Sequence, residues 1–168
     1  RTPGHKRAGC DIPELSYSDN LSAPNGVIAR AEADCARILG ADGTFLLTDG
    51  STSGVYAMLF AAKRLGCRSV ACSVYSHVSV KNGCKLAGLA AVEIDAGARE
   101  GIPLQPDIER IGRALAEADA LLITSPDYYG NFPPLAEAAA LCKAANKPLL
   151  IDGAHGAHLA FGDRNGYA

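Results

Sequence analysis

Short apolar runs alternate along this chain with segments whose apolar residues recur at helical spacing. Val27, Ile28, Ala31, Cys35, Ile38 and Leu39 mark a first helix that Gly40 stops. The pattern then predicts a strand over residues 45–48, a helix over 52–65 stopped by Gly66, and a strand over 69–73. A helix follows over 77–86, stopped by Gly88, then a strand over 91–94 and a helix over 106–118 opened by Pro106 and Asp107. A strand over 120–124, a helix over 135–145 behind Pro133 and Pro134, and a strand over 148–152 complete the series. Strands that are apolar throughout are covered on both faces. The βαβ alternation therefore predicts an α/β fold, a three-layer α/β/α sandwich around a mostly parallel sheet with right-handed crossovers.

Composition excludes several classes of function. The 168 residues carry a net charge of −2 with 20% charged and 48% hydrophobic side chains, so there is no basic stripe for nucleic acid and no polybasic membrane patch. No apolar run approaches the ~20 residues of a membrane span. The six cysteines, Cys10, Cys35, Cys67, Cys72, Cys84 and Cys142, form no C-x-x-C pair, which predicts a cytoplasmic protein with reduced thiols. In that setting the Asn20-Leu21-Ser22 sequon is accidental. The chain lacks a starting Met and stops at Gly166-Tyr167-Ala168, and both ends read as cut from something longer.

Two places where a strand runs into a turn carry the chemistry. Leu149-Leu150-Ile151-Asp152 ends in an acid followed at once by Gly153, His155, Gly156 and His158, the way an α/β sheet delivers a carboxylate to a ligand at its strand ends. A carboxylate closing an apolar strand is partly desolvated and needs a cationic or hydrogen-bonding partner, and no Arg or Lys is adjacent. About a hundred residues upstream, Gly50-Ser51-Thr52-Ser53-Gly54 sits between an apolar run and a helix, where free amides and the positive helix end suit a phosphate. A plain helix N-cap with a glycine turn explains the same residues, which match neither a P-loop nor G-x-G-x-x-G. The turn imitates the G-x-S-x-G nucleophile elbow, but with Thr52 at its centre, and Asp152 and His155 are too close together for a triad. The spacing of Asp152, His155 and His158 matches no zinc pattern, so no metal is expected. His77 and the pair Tyr128-Tyr129 follow further strands on the same edge, where an imidazole could lie flat on a ring and two tyrosines could wall a pocket.

Five stretches in this order resemble the Orn/Lys/Arg decarboxylase family of fold-type-I pyridoxal-phosphate enzymes. They are Arg1-Thr2-Pro3-Gly4-His5-Lys6-Arg7, Asp19-Asn20-Leu21-Ser22-Ala23-Pro24-Asn25-Gly26-Val27-Ile28, Gly50-Ser51-Thr52-Ser53-Gly54, Thr124-Ser125-Pro126-Asp127-Tyr128-Tyr129-Gly130 and Ile151-Asp152-Gly153-Ala154-His155-Gly156-Ala157-His158. The resemblance implies the PLP-dependent transferase (aspartate aminotransferase-like) large domain, with residues 1–24 leading in and 1–168 forming only part of that domain. It implies pyridoxal 5'-phosphate as cofactor, with Ser51, Thr52 and Ser53 holding the phosphate, His77 stacking on the ring and Asp152 pairing with the protonated ring nitrogen. His155 would sit near the phenolic oxygen, and His5, Tyr128 and Tyr129 near the substrate. A basic amino acid (lysine, arginine or ornithine) is the implied substrate, its product a polyamine precursor, and a homodimer or larger homo-oligomer the implied assembly.

One feature departs from the family. Its Schiff-base lysine lies in a Ser-x-His-Lys type motif beyond the Asp strand, whereas Lys6, Lys63, Lys81, Lys85, Lys143 and Lys147 all precede Asp152 here. Other fold-type-I activities, an aminotransferase or an aldolase, stay open, as does a cofactor-binding fragment without chemistry.

Overall fold

Alternate residues of the central strands face two separate cores, and this alternation builds the layers. The protein is seen in a computed structural model that describes residues 13–15 and 17–161. It divides into two compact units, residues 1–48 and 49–168. The second unit holds helix α2 (Gly50–Arg64), strand β1 (Ser69–Ser73), helix α3 (Val78–Ala87) and strand β2 (Ala90–Ile94). After a hairpin of β3 (Ala98–Arg99) and β4 (Ile102–Pro103) come α4 (Ile108–Glu117), β5 (Ala120–Thr124), α5 (Leu135–Ala144) and β6 (Leu149–Asp152). Four strands form one wholly parallel sheet in the order β2-β1-β5-β6.

Val70 and Cys72 of β1 and Ala120 and Leu122 of β5 pack with Val55 and Leu59 of α2 and Val80 and Cys84 of α3. The intervening Ala71, Leu121 and Ile123 pack with Ile111 and Leu115 of α4 and with Ala138 and Cys142 of α5. A strand whose successive side chains point to opposite faces, buried on both, gives the expected three layers. Full burial of Leu59, Ile111, Leu121 and Leu122 stabilises the unit by about 1.5–3 kcal/mol each. Helices α2 and α3 approach closely at Gly83, where an added Cβ would stand 2.6 Å from Leu59 Cδ1 and 2.9 Å from Tyr56 Cδ1.

From β1 the chain moves outward to β2 through α3 on one face. From β2 it returns past β1 to β5 through α4 on the other face, then goes on to β6 through α5. Opposite directions of travel on opposite faces are what one constant crossover hand requires. The loops after β1 and β5 therefore diverge and leave a crevice at the carboxyl ends of those strands.

In the first unit, α1 (Val27–Leu39) starts at Gly26, which supplies no side-chain cap. Asp19 does that work from a distance. Its Oδ2 accepts the Gly26 amide at 2.9 Å and the Ile28 amide at 2.7 Å, and its Oδ1 accepts those of Asn20 at 2.9 Å and Asn25 at 3.0 Å. Amides that lack partners at a helix start are thereby satisfied. These bonds, that of Asn25 foremost, bring the Asp19 carboxyl down to about 2 against a desolvation that pushes it up.

The strand expected over residues 45–48 is not formed. Phe45 is 83% exposed, and Glu32 of α1 takes the segment instead, its Oε1 accepting the Leu46 amide at 2.9 Å and its carbonyl accepting Thr44 Oγ1 at 2.5 Å. An apolar run without a neighbouring strand has no ladder to join. The other elements lie within about two residues of the sequence expectation; the helix expected over 106–118 is shorter because Asp107 caps it, accepting the Arg110 amide at 2.8 Å. The apolar pattern of the sequence gives no sign of the β3–β4 hairpin. Glu100 (φ 53°) and Gly101 (φ 82°) supply the positive-φ pair that a two-residue turn needs, but two-residue strands show no alternation to read.

Candidate functional site

The crevice between the diverging loops is a cavity of about 500 Å³, within the range of small-molecule sites. The first turn of α2 brings Ser51 to it; the end of β1 and its loop bring Ser73, Tyr75, Ser76 and His77; β5 and its loop bring Thr124, Asp127, Tyr128 and Tyr129; β6 and its turn bring Asp152 and His155. Ile94, Leu122 and Ile123 add apolar wall, and Pro103 at the end of β4 with residues 104–106 after it closes another side.

Asp152 is a buried carboxylate lining the cavity, 5% exposed. Its Oδ1 accepts the Ala154 amide at 3.2 Å, and among the described residues no lysine or arginine pairs with it. Thr124, its register partner on β5, has a buried hydroxyl without a hydrogen-bond partner among the described residues, and so has Ser76. Buried polar groups are normally satisfied, so the two hydroxyls and the lightly held carboxylate mark a polar demand concentrated at this cavity.

His77 is the N-cap of α3. Its Nδ1 accepts the Ser79 amide at 3.2 Å and stands 2.8 Å from Ser79 Oγ, which puts the proton of the neutral ring on Nε2 and fixes the ring plane. His155 meets the Tyr128 ring edge-on at 5.7 Å and 80°, and Tyr128 meets Tyr129 at 5.4 Å and 87°. Gly50 takes φ +70° to turn the chain into α2, a conformation that side chains disfavour, and nothing else crowds it.

The structure thus gathers Ser51, His77, Tyr128, Tyr129, Asp152 and His155 around one cavity. Thr52 and Ser53 do not line it; Ser53 Oγ donates back to the Gly50 carbonyl at 2.9 Å. His5 lies outside the described residues. Thr124 and Asp127 belong to the stretch Thr124–Gly130 that carries the family resemblance, which places them on this edge but gives neither a role; the register with Asp152 reveals Thr124, and Ser76 lies in no such stretch. Among the described residues no group of three or more His, Cys, Asp or Glu side chains could hold a metal ion, and no helix is long and apolar enough to cross a membrane.

Fold and cavity together define a doubly wound α/β domain with a small-molecule crevice at its strand ends, the large-domain fold of the PLP-dependent transferases. A sphingosine-1-phosphate lyase of Burkholderia pseudomallei K96243 shares this fold with a TM-score of 0.66 at 19% identity, over 83% of this chain and 36% of that one. A GDP-4-keto-6-deoxymannose-3-dehydratase with a trapped PLP-glutamate geminal diamine shares it with a TM-score of 0.58 at 16% identity, over 77% of this chain and 34% of that one. The chain belongs to the Orn/Lys/Arg decarboxylase major-domain family, whose model matches residues 4–165. It is 30% identical over 158 residues to the uncharacterized protein YaaO of Bacillus subtilis strain 168, covering 91% of this chain and 33% of that protein. An arginine decarboxylase of the same strain is 29% identical over 168 residues, covering 95% of this chain and 34% of that enzyme. The chain spans about a third of the length of these relatives.

Proposed function

We propose that this domain is the cofactor-binding part of a pyridoxal-phosphate-dependent decarboxylase acting on a basic amino acid, arginine first among the candidates because relatives bear that name. The observation that carries the reading is Asp152, a buried carboxylate at a strand end, facing a cavity and held by one backbone amide. Such a carboxylate fits a cationic ring N–H better than any neutral ligand, because a charge-assisted hydrogen bond offsets its desolvation.

The residues present fit pyridoxal phosphate. Ser51, beside the free amides of the α2 N-terminus, would bind the phosphate, with Thr52 and Ser53 in the same turn as less direct contributors. His77, its plane fixed by Ser79, would lie on the ring, and His155 would stand near the phenolic oxygen. When bound, the cofactor supplies an electron sink for the pair left behind by carbon dioxide. Asp152 would hold the proton on the ring nitrogen, which keeps that sink cationic. Tyr128 and Tyr129 wall the side where the amino acid would enter, and His5 is assigned to that side by motif alone. No lysine lines the cavity among the described residues, which supports a covalent anchor from a segment of the longer protein beyond this chain. A homodimer or larger homo-oligomer in the cytoplasm completes the proposal; the assembly rests on the family resemblance, and the compartment on the five cysteines among the described residues, all free and four of them buried.

The test is carbon dioxide release by the longer protein supplied with pyridoxal phosphate and, in turn, arginine, lysine and ornithine. Turnover of one of them, falling by about a hundredfold or more in Asp152→Ala while the cofactor stays bound, is the expected result. Transfer of the amino group without carbon dioxide, or full turnover by Asp152→Ala, would contradict the reading.

A further inference from the structure

Asp127 heads the loop after β5 that carries both tyrosines. Its Oδ1 accepts the amides of Tyr129 and Asn131, each at 2.9 Å, and its Oδ2 accepts the side-chain amide of Asn131 at 3.0 Å. The backbone closes the same loop, with the Asp127 amide donating to the Asn131 carbonyl at 3.1 Å and the Gly130 amide to the Asp127 carbonyl at 3.1 Å. One carboxylate thus takes three donors within five residues. Asn131 Nδ2 also stands 3.5 Å from the carbonyl of Pro103, a long contact toward the hairpin segment that forms another wall of the cavity.

Tyr128 is 79% exposed, so packing does little to hold it. Yet its ring stands edge-on to His155, a residue on a different strand's turn. What fixes the loop beneath it is the set of bonds to Asp127. We propose that Asp127 is a positioning residue: its carboxylate holds the loop so that Tyr128 stands against His155, which sets the substrate-side wall of the cavity. Asp127 acts through Tyr128, both of its carboxylate oxygens accepting bonds from within the loop. The link from Tyr128 to His155 is independent of the proposed function; the effect on substrate rests on it.

The experiment follows the ring proton and carbon resonances of the histidines in this chain and substrate kinetics in the longer protein. The Tyr128 ring current acts on His155, so Tyr128→Ala moves the His155 signals, and Asp127→Ala moves them toward the same positions while the His77 signals stay. Asp127→Asn, which keeps an Oδ1 for the two backbone amides, and Asn131→Ala, which keeps those bonds, both give smaller shifts in the same direction. In the longer protein, Asp127→Ala raises KM for the amino acid by about fivefold with kcat changed by less than about twofold. Unmoved His155 signals in Asp127→Ala or in Tyr128→Ala overturn the positioning role, and an unchanged KM alongside moved signals overturns its effect on substrate. A longer protein that turns over no amino acid refutes the proposed function, and the His155 signals still decide the role of Asp127.

Discussion

Thr124 and Asp152 are register partners at the carboxyl ends of β5 and β6. The alternation that sends Ala120, Leu122 and Leu150 into the α2–α3 core places both residues on that same side of the sheet. Helix α2, which brings Ser51 to the cavity, belongs to that layer. The strand register and the start of α2 therefore put a carboxylate and an anion-binding helix end at one cavity, about a hundred residues apart in sequence.

Ser51 and Ser53 separate the two roles mixed in the glycine-flanked turn. Ser51→Ala weakens cofactor retention in the longer protein by about 1 kcal/mol, the loss of one charge-assisted hydrogen bond. Ser53→Ala leaves it nearly unchanged, because that hydroxyl donates to the Gly50 carbonyl and does not line the cavity. Equilibrium dialysis of the two variants checks the difference; equal losses would place the phosphate deeper in the turn.

Asp19 confers acid resistance on the start of α1. Its carboxyl, lowered to about 2 from 3.8, contributes stability that is fully present above its unfolded value and is lost as pH falls through the folded one. Amide exchange at Gly26 and Ile28 should remain protected at pH 4 and lose protection progressively down toward pH 2, a dependence on Asp19 that Asp19→Asn removes (both pH values bracket the shift). Equal pH dependence in the variant would refute the capping account.

Gly83→Val forces a branched side chain into the contact with Leu59 and Tyr56 and destabilises the domain by about 1–3 kcal/mol in urea denaturation. Wild-type stability would mean that the two neighbouring side chains swing aside freely.

The parts of the fold legible in sequence are those with a local signal. Ala120 to Ile123 form an uninterrupted apolar run between Asp119 and Thr124, and the strand expected over 120–124 matches the one observed. Gly40 and Gly88 stop helices because both take positive φ. Residues 45–48 carry the same apolar signal, yet what decides strand from loop is whether a partner strand lies alongside, which a single segment does not encode. The cavity is legible at Ser51 and Asp152, which motifs carry, and at His77, which follows a strand on the same edge. Thr124 and Asp127 also lie in a motif stretch, but their roles, like that of Ser76, arise from register and loop closure in three dimensions, which the motif does not encode.

The most direct measurement of the central claim is the nitrogen-15 chemical shift of ring-labelled pyridoxal phosphate bound to the longer protein, compared with the Asp152→Ala variant. The account predicts a protonated ring nitrogen in the wild type and a deprotonated one in the variant at neutral pH. The same shift in both proteins would show that Asp152 does not hold that proton and would contradict the account.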